Sequence, residues 1–276
     1  MLGAVQSLFS HGPDPLADTL RHAGDPGLFG PDSVSWRVVG DASVFIGGVR
    51  ALVVQTAHPE VVAGVEQHSR YRADPLGRLS RTAAYVTATT FGSMPEVDAA
   101  IAAVRRAHRP VAGSSSRGLP YSAGDPALAA WVHNALVESL LVAHQAFGRT
   151  PLDEADADRF VAEQAQLGRL LGADPLPTTA RDLSAWVIEH PAIDASSDQR
   201  SAMSFLRTPP LSLPVLAAYW VLLDAAVSTI PSSLRHQLGL VAPPLARATG
   251  RRAVAALRWT LGTSPAEQLA AVRTAP

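Results

Sequence analysis

The chain has 276 residues, 47% of them hydrophobic and 17% charged, and a net charge of −1. That length suits one large domain or two small ones with ample chain to bury a core, and the near-neutral charge excludes a general basic field that would draw in nucleic acid or an anionic membrane. Cysteine is absent, which removes disulfides, zinc–thiolate and iron–sulfur sites and cysteine catalysis; lysine is absent as well, which removes Schiff-base and P-loop chemistry.

The N-terminus lacks the basic stretch and long apolar core of a signal peptide, so a cytoplasmic protein is expected. Residues 1–32 are rich in Gly, Pro and Asp and read as an arm with one short helix at Leu16–His22. The body, 33–276, opens on Ser33-Val-Ser-Trp36. Asp41-Ala-Ser reads as a helix start, with apolar residues running on to Val54. Gly47-Gly48 inside that helix costs propensity and marks a close approach by a helix or a ligand. Pro59 suits the first turn of the next helix. Pro75 to about Phe91 is predicted as one helix, with Leu76, Leu79, Ala83 and Val86 on one face. Ser93 is an N-cap candidate for a helix carrying Val97, Ile101, Val104 and His108 at i, i+4, i+7 and i+11. That spacing puts His108 on the apolar face, and Pro110 closes the helix.

Gly113–Gly118 reads as a flexible loop. Asp125-Pro126 then caps a long helix over 126–147. Further helices are expected at Asp153–Leu171, Ala180–Glu189, 196–206, Pro214–Thr229, Pro231–Leu238 and Pro243–Thr260. Strand-like alternation and internal repeats are absent, so the expected fold is all-α, a single-domain multi-helix bundle. The most apolar stretches, 127–143 and 214–230, carry His133, Asn134 and Glu138, and Asp224, respectively. They read as buried helices, and no membrane span is expected.

Arg78, Arg81 and Thr82 fall at i, i+3 and i+4, one stripe of a helix. Two guanidiniums and a hydroxyl so placed suit an anion such as a propionate, or a small oxygen ligand; a solvated basic face is the plainer alternative. An imidazole on an apolar face is what a haem iron needs as axial ligand, although a lone buried histidine is more often a hydrogen-bonded core residue. Arg105, Arg106 and Arg109 beside it suit propionates or solvent equally. His133 reads as lining a pocket or standing behind it, and His144 as structural. His58 sits at a turn and His68 near Arg70 and Arg72; either could line a pocket entrance, but a structural role is favoured. His-Glu-x-x-His, a phosphate-binding glycine loop and a nucleophile elbow are all missing.

The succession Gly47-Gly-Val-Arg-Ala-Leu-Val-Val-Gln-Thr-Ala-His58-Pro59, Arg78-Leu-Ser-Arg-Thr82, Phe91-Gly92-Ser93, Val104-Arg-Arg-Ala-His108-Arg-Pro-Val111 and Asp125-Pro126 followed by Trp131-Val-His133 resembles the haem-dependent oxygenase family of the latex clearing protein (a rubber oxygenase) and MpaB, over roughly residues 36–260. The resemblance implies an orthogonal helical bundle with globin-like elements around a haem pocket, one haem b, and dioxygen or peroxide as oxidant for an apolar substrate. It matches His108 to the proximal iron ligand, and Arg78 and Thr82 to the arginine and threonine near the haem. His133 is expected among the cofactor-binding residues. Arg81 stands where the rubber oxygenase has a lysine able to close the sixth coordination site; arginine stays cationic and cannot do so, which puts rubber cleavage in doubt. Neither the substrate nor a redox partner follows from the resemblance. The alternatives are a non-catalytic carrier of haem or of an apolar ligand, and a haem-free helical interaction protein.

Overall fold

The structure, a computed structural model, describes residues 14–275. The described residues form thirteen α-helices and one two-stranded hairpin. The helices are α1 Val34–Gly40, α2 Val44–Gln55, α3 Pro59–His68, α4 Pro75–Phe91, α5 Met94–His108, α6 Pro126–Phe147, α7 Glu154–Leu171, α8 Ala180–Ile188, α9 Ser197–Arg207, α10 Leu213–Ser228, α11 Ser232–Gln237, α12 Ala246–Leu261 and α13 Pro265–Thr274. The all-α expectation holds, and a family of buried side chains from most of these helices makes one continuous core.

The centre of the fold is α6 packed along α2. Gly47 permits the approach: a Cβ there would fall 2.9 Å from Leu140 Cδ2. Next to it, a Cβ on Gly48 would meet nothing within 4 Å. Among the described residues, the glycine pair thus turns one face to a neighbouring helix and leaves the other without a close neighbour. Arg50, one turn on, crosses to Glu138 in a two-pronged ion pair that also engages Ser139 Oγ (2.8 Å) and Thr229 Oγ1 (3.1 Å). It ties α2, α6 and the end of α10 together inside the core. α6 is long and apolar enough to cross a membrane by length and composition. Most of that apolar surface is instead buried against other helices.

Four segments differ from the sequence reading. The stretch opening at Ser33 is a helix of its own, capped by Ser33 Oγ accepting from the Trp36 amide (3.2 Å). It meets α2 at 90°, and Asp41 ends α1 rather than starting α2. The 112–122 region is a small antiparallel hairpin, β1 Ala112–Ser114 against β2 Pro120–Ser122; three-residue strands are too short for alternation to register. The expected Leu16–His22 helix is a single 3-10 turn at Thr19–Arg21. The last helix, α13, lies beyond any expected element.

Residues 14–32 pack onto the body. Leu16 and Thr19 are buried, and Asp25 accepts from the Met94 amide (2.8 Å). Buried Arg273 of α13 clasps this segment, donating to Asp25 O (2.8 Å), Thr19 Oγ1 (2.6 Å) and Phe91 O (2.7 Å). The rest of the arm, 1–13, falls outside the described residues.

Candidate functional site

α4 and α5 are joined by only Gly92 and Ser93. Ser93 builds a capping box with Glu96, whose carboxylate accepts from the Ser93 amide (2.8 Å). Two helices joined so tightly fold back on each other. Tyr85 of α4 packs on Val97 and Ile101 of α5 and Leu167 of α7. Arg78 lies 13 residues before the end of α4 and His108 14 residues after the start of α5. At about 1.5 Å per residue, both stand some 20 Å from the turn, at the open end of the pair.

That end rests on the C-terminal half of α3. Arg78 donates to Ser69 Oγ (2.6 Å) just past α3. On the α5 side, Val111 lies against Gly64, and the His68 ring hydrogen-bonds Ala112 O (3.1 Å). The hairpin braces the same helix: Tyr121 donates to Gln67 Oε1 (2.6 Å), and Gln67 Nε2 donates to Ser114 O (2.9 Å). Gly113 must be glycine, because a Cβ would fall 2.7 Å from the Tyr121 hydroxyl.

The three α4 candidates are not equivalent. Arg78 is half-buried and no ion pair holds it among the described residues. Burial, and then the neighbouring Arg81, lower its pKa, while Tyr71 works in the opposite sense. Arginine stays protonated regardless, so Arg78 is a cation in want of an anion. Arg81 is exposed and pairs with Asp74 (3.3 Å). Thr82 is exposed, and its hydroxyl donates to Arg78 O (3.1 Å), which leaves it only acceptor capacity.

His108 departs from its expected placement. Only Val97 and Ile101 of α5 are buried; Val104 is half-buried and His108 is exposed. The periodicity is right, but α4 and α7 cover only the first two turns. The ring makes no hydrogen bond among the described residues, so both nitrogens are available. Enough protein flanks it to lower its pKa by desolvation, which favours the neutral form that a metal requires. Arg105, Arg106 and Arg109 line a groove of about 410 Å³ beside this stripe, with Ile101, Leu170 and Asp98.

His133 is not brought to this end. It is buried at the contact of α6 with α7, where a Cβ on Gly168 would fall 2.9 Å from its ring. Burial pushes its pKa down to about 4, against a hydrogen bond to the Gln164 backbone. Leu167, beside that glycine, is what packs on α5, so His133 stands one layer behind. His144 is likewise buried.

Two features escaped the sequence reading. Tyr85 follows Arg78 by seven and Thr82 by three, which continues their stripe; its buried hydroxyl has no hydrogen-bond partner, and burial raises its pKa. The i+7 spacing was the available signal. The second is a buried cluster at the start of α3. Glu60 accepts from Arg117 (2.5 Å) and Ser115 (2.8 Å), and His58 Nδ1 lies 3.4 Å from it. The His58 ring packs against Trp131 and His190, and burial holds its pKa at about 4 despite Glu60.

No curated protein and no solved structure matches the chain. A family model does: the ER-bound oxygenase mpaB/B'/rubber oxygenase catalytic domain matches residues 36–259, which takes in every candidate above. The chain belongs to that family of oxygenase catalytic domains.

Proposed function

We propose that the protein is a haem b-dependent oxygenase acting on a small apolar molecule, with His108 as the proximal iron ligand. The carrying observation is the pairing, at one end of α4–α5, of an imidazole without a hydrogen bond and a half-buried guanidinium without a carboxylate partner among the described residues. The donor set fits the group: a neutral nitrogen for iron, and a cation for a carboxylate or a polarised oxygen. Bound there, haem supplies an iron centre that activates dioxygen or peroxide.

The chain's own residues then have distinct tasks. His108 presents its lone pair in the neutral form. Arg78 is the first candidate to hold an anionic oxygen, because Arg81 is engaged by Asp74 and Thr82 by its own helix. The unpartnered Tyr85 hydroxyl, on the same stripe, is a proton donor of high pKa. Arg105, Arg106 and Arg109 offer positive charge to propionates. His133 acts from behind, as packing between α6 and α7. An apolar substrate is supported by a mainly apolar groove of about 320 Å³ lined by Met203, Trp220, Leu223, Val227, Leu240 and Val241, with Arg207 and Asp224 at it as well, within the range of small-molecule sites.

The test is an optical spectrum of the freshly purified protein, oxidised and reduced, with and without carbon monoxide. The wild-type chain should show a Soret band that His108→Ala removes or strongly shifts. Arg78→Ala should keep the band and lose turnover. A wild-type chain that remains colourless after haem supplementation, while folded by circular dichroism, overturns the proposal.

A further inference from the structure

The overall charge of −1 hides a strong asymmetry. Between residues 199 and 266 there are seven arginines and a single acidic residue, Asp224. This stretch also holds the four most exposed large apolar side chains among the described residues, with Trp259 88%, Val241 83%, Leu213 80% and Leu245 71% accessible.

The two properties meet on α12. Its inner face, Ala246, Gly250 and Val254, is buried; Gly250 meets α10 so closely that a Cβ would fall 2.6 Å from Ala225 Cβ. Its outer face is the row Leu245, Ala248, Arg252, Ala255 and Trp259, at i, i+3, i+7, i+10 and i+14, and every member is exposed. A surface helix ordinarily turns polar residues outward. Here a second apolar stripe, about 21 Å long by helix rise, faces away from the fold. Arg247 and Arg251 flank it, and neither the helix nor the loop before it carries an acidic group.

We infer that this face docks the protein onto an anionic lipid surface. An apolar stripe with a terminal tryptophan, flanked by cations and free of carboxylates, is the pattern of a helix lying in a bilayer interface. Arg252, in the middle of the stripe, distinguishes the occupants. A protein partner would have to bury that charge in the centre of its contact, where charges are depleted. A bilayer lets the arginine lay its stem along the apolar layer and keep its head among phosphates. A second copy of this chain would bring the same positive field and be repelled. The docking itself needs no haem.

The test is co-sedimentation of the full chain with vesicles of phosphatidylcholine alone and of phosphatidylcholine mixed with phosphatidylglycerol. Binding should be confined to the anionic vesicles and be weakened by salt. Arg252→Glu, which removes one positive charge and adds a negative one, should weaken it about 25-fold, taking roughly fivefold per charge near an anionic leaflet. Trp259→Ala should weaken it severalfold, and the emission difference between wild type and that variant should shift to the blue on binding. Arg181→Glu, an exposed change on α8, should have no effect. Three results overturn the inference: no binding to anionic vesicles, equal loss in Arg181→Glu, or a concentration-dependent dimer that Trp259→Ala dissolves.

Discussion

Glu138→Ala should be among the most destabilising single changes in this fold. Glu138 and Arg50 are 2% and 1% accessible. The carboxylate takes both terminal nitrogens of the guanidinium, one at 2.9 Å. Removing it strands a buried cation with only Ser139 and Thr229 as partners. Breaking a buried pair from one side costs about 3–5 kcal/mol. The two remaining hydroxyl contacts place the loss near the lower bound, about 3 kcal/mol, or roughly 6–10 °C in Tm for a domain of this size. The change also leaves a void between α2 and α6. Replacing both partners by apolar residues, Arg50→Met with Glu138→Leu, removes the stranded charge and should recover most of the loss. Urea unfolding of wild type, single and double variants measures all three. A single variant within 1 kcal/mol of wild type, or a double variant no better than the single, would refute the view that the pair matters because both charges are buried.

Acid should destabilise the fold as its buried histidines take up protons. His133 falls from an ordinary 6.5 to about 4 when buried, so the unfolded chain takes up its proton first. Its contribution, about 3 kcal/mol, is fully present above pH 6.5, shrinks as pH falls, and is gone near pH 4. His133→Gln should reduce the dependence of unfolding free energy on pH across that window, leaving the part that His58, also lowered to about 4, contributes; an unchanged slope would assign the effect elsewhere. Arg273→Ala removes three hydrogen bonds that join α13 to residues 19, 25 and 91. It should cost about 2–3 kcal/mol and make both ends of the chain more sensitive to limited proteolysis.

How much could be read from the sequence follows the range of the interactions. Helices with proline at their first turn and a polar cap before it (α4, α5 and α6) are local statements, and their starts fall within a residue or two of expectation. The Arg78, Arg81 and Thr82 stripe is likewise local, and so is its extension to Tyr85. What periodicity cannot say is how far a neighbour covers a helix. The apolar spacing of α5 continues to His108, but its cover ends near Ile101. Long-range partners are invisible for the same reason. Glu138 reads only as a polar residue inside an apolar stretch, because Arg50 lies 88 residues away, and the reach of Arg273 to Asp25 spans 248. Gly47-Gly48 is an intermediate case: a close approach is legible, but not that Gly47 alone makes it among the described residues.

The uneven cover of α5 carries its own prediction. The first two turns are fixed by the capping box, by Tyr85 and by Leu167. The last two are exposed apart from half-buried Ala102 and Val104, and Arg105 donates to Leu170 O as a long-range tie (2.7 Å). Helix ends with few buried contacts and solvent-exposed backbone open locally at low free energy. In the same chain, α2 and α6 are locked by Gly47 packing and a buried ion pair, and should open only with the whole fold. If His108 is an iron ligand, a bound haem adds a strong contact at the loosest turn and must slow its opening by the free energy of that contact. Hydrogen exchange of amides 103–109 should therefore be fast without haem and markedly slower with it, while amides 47–54 and 134–141 stay slow in both. His108→Ala should abolish the difference. Protection of 103–109 that is high at the outset and unmoved by haem would mean that this turn is a finished structural element, and that the ligand lies elsewhere.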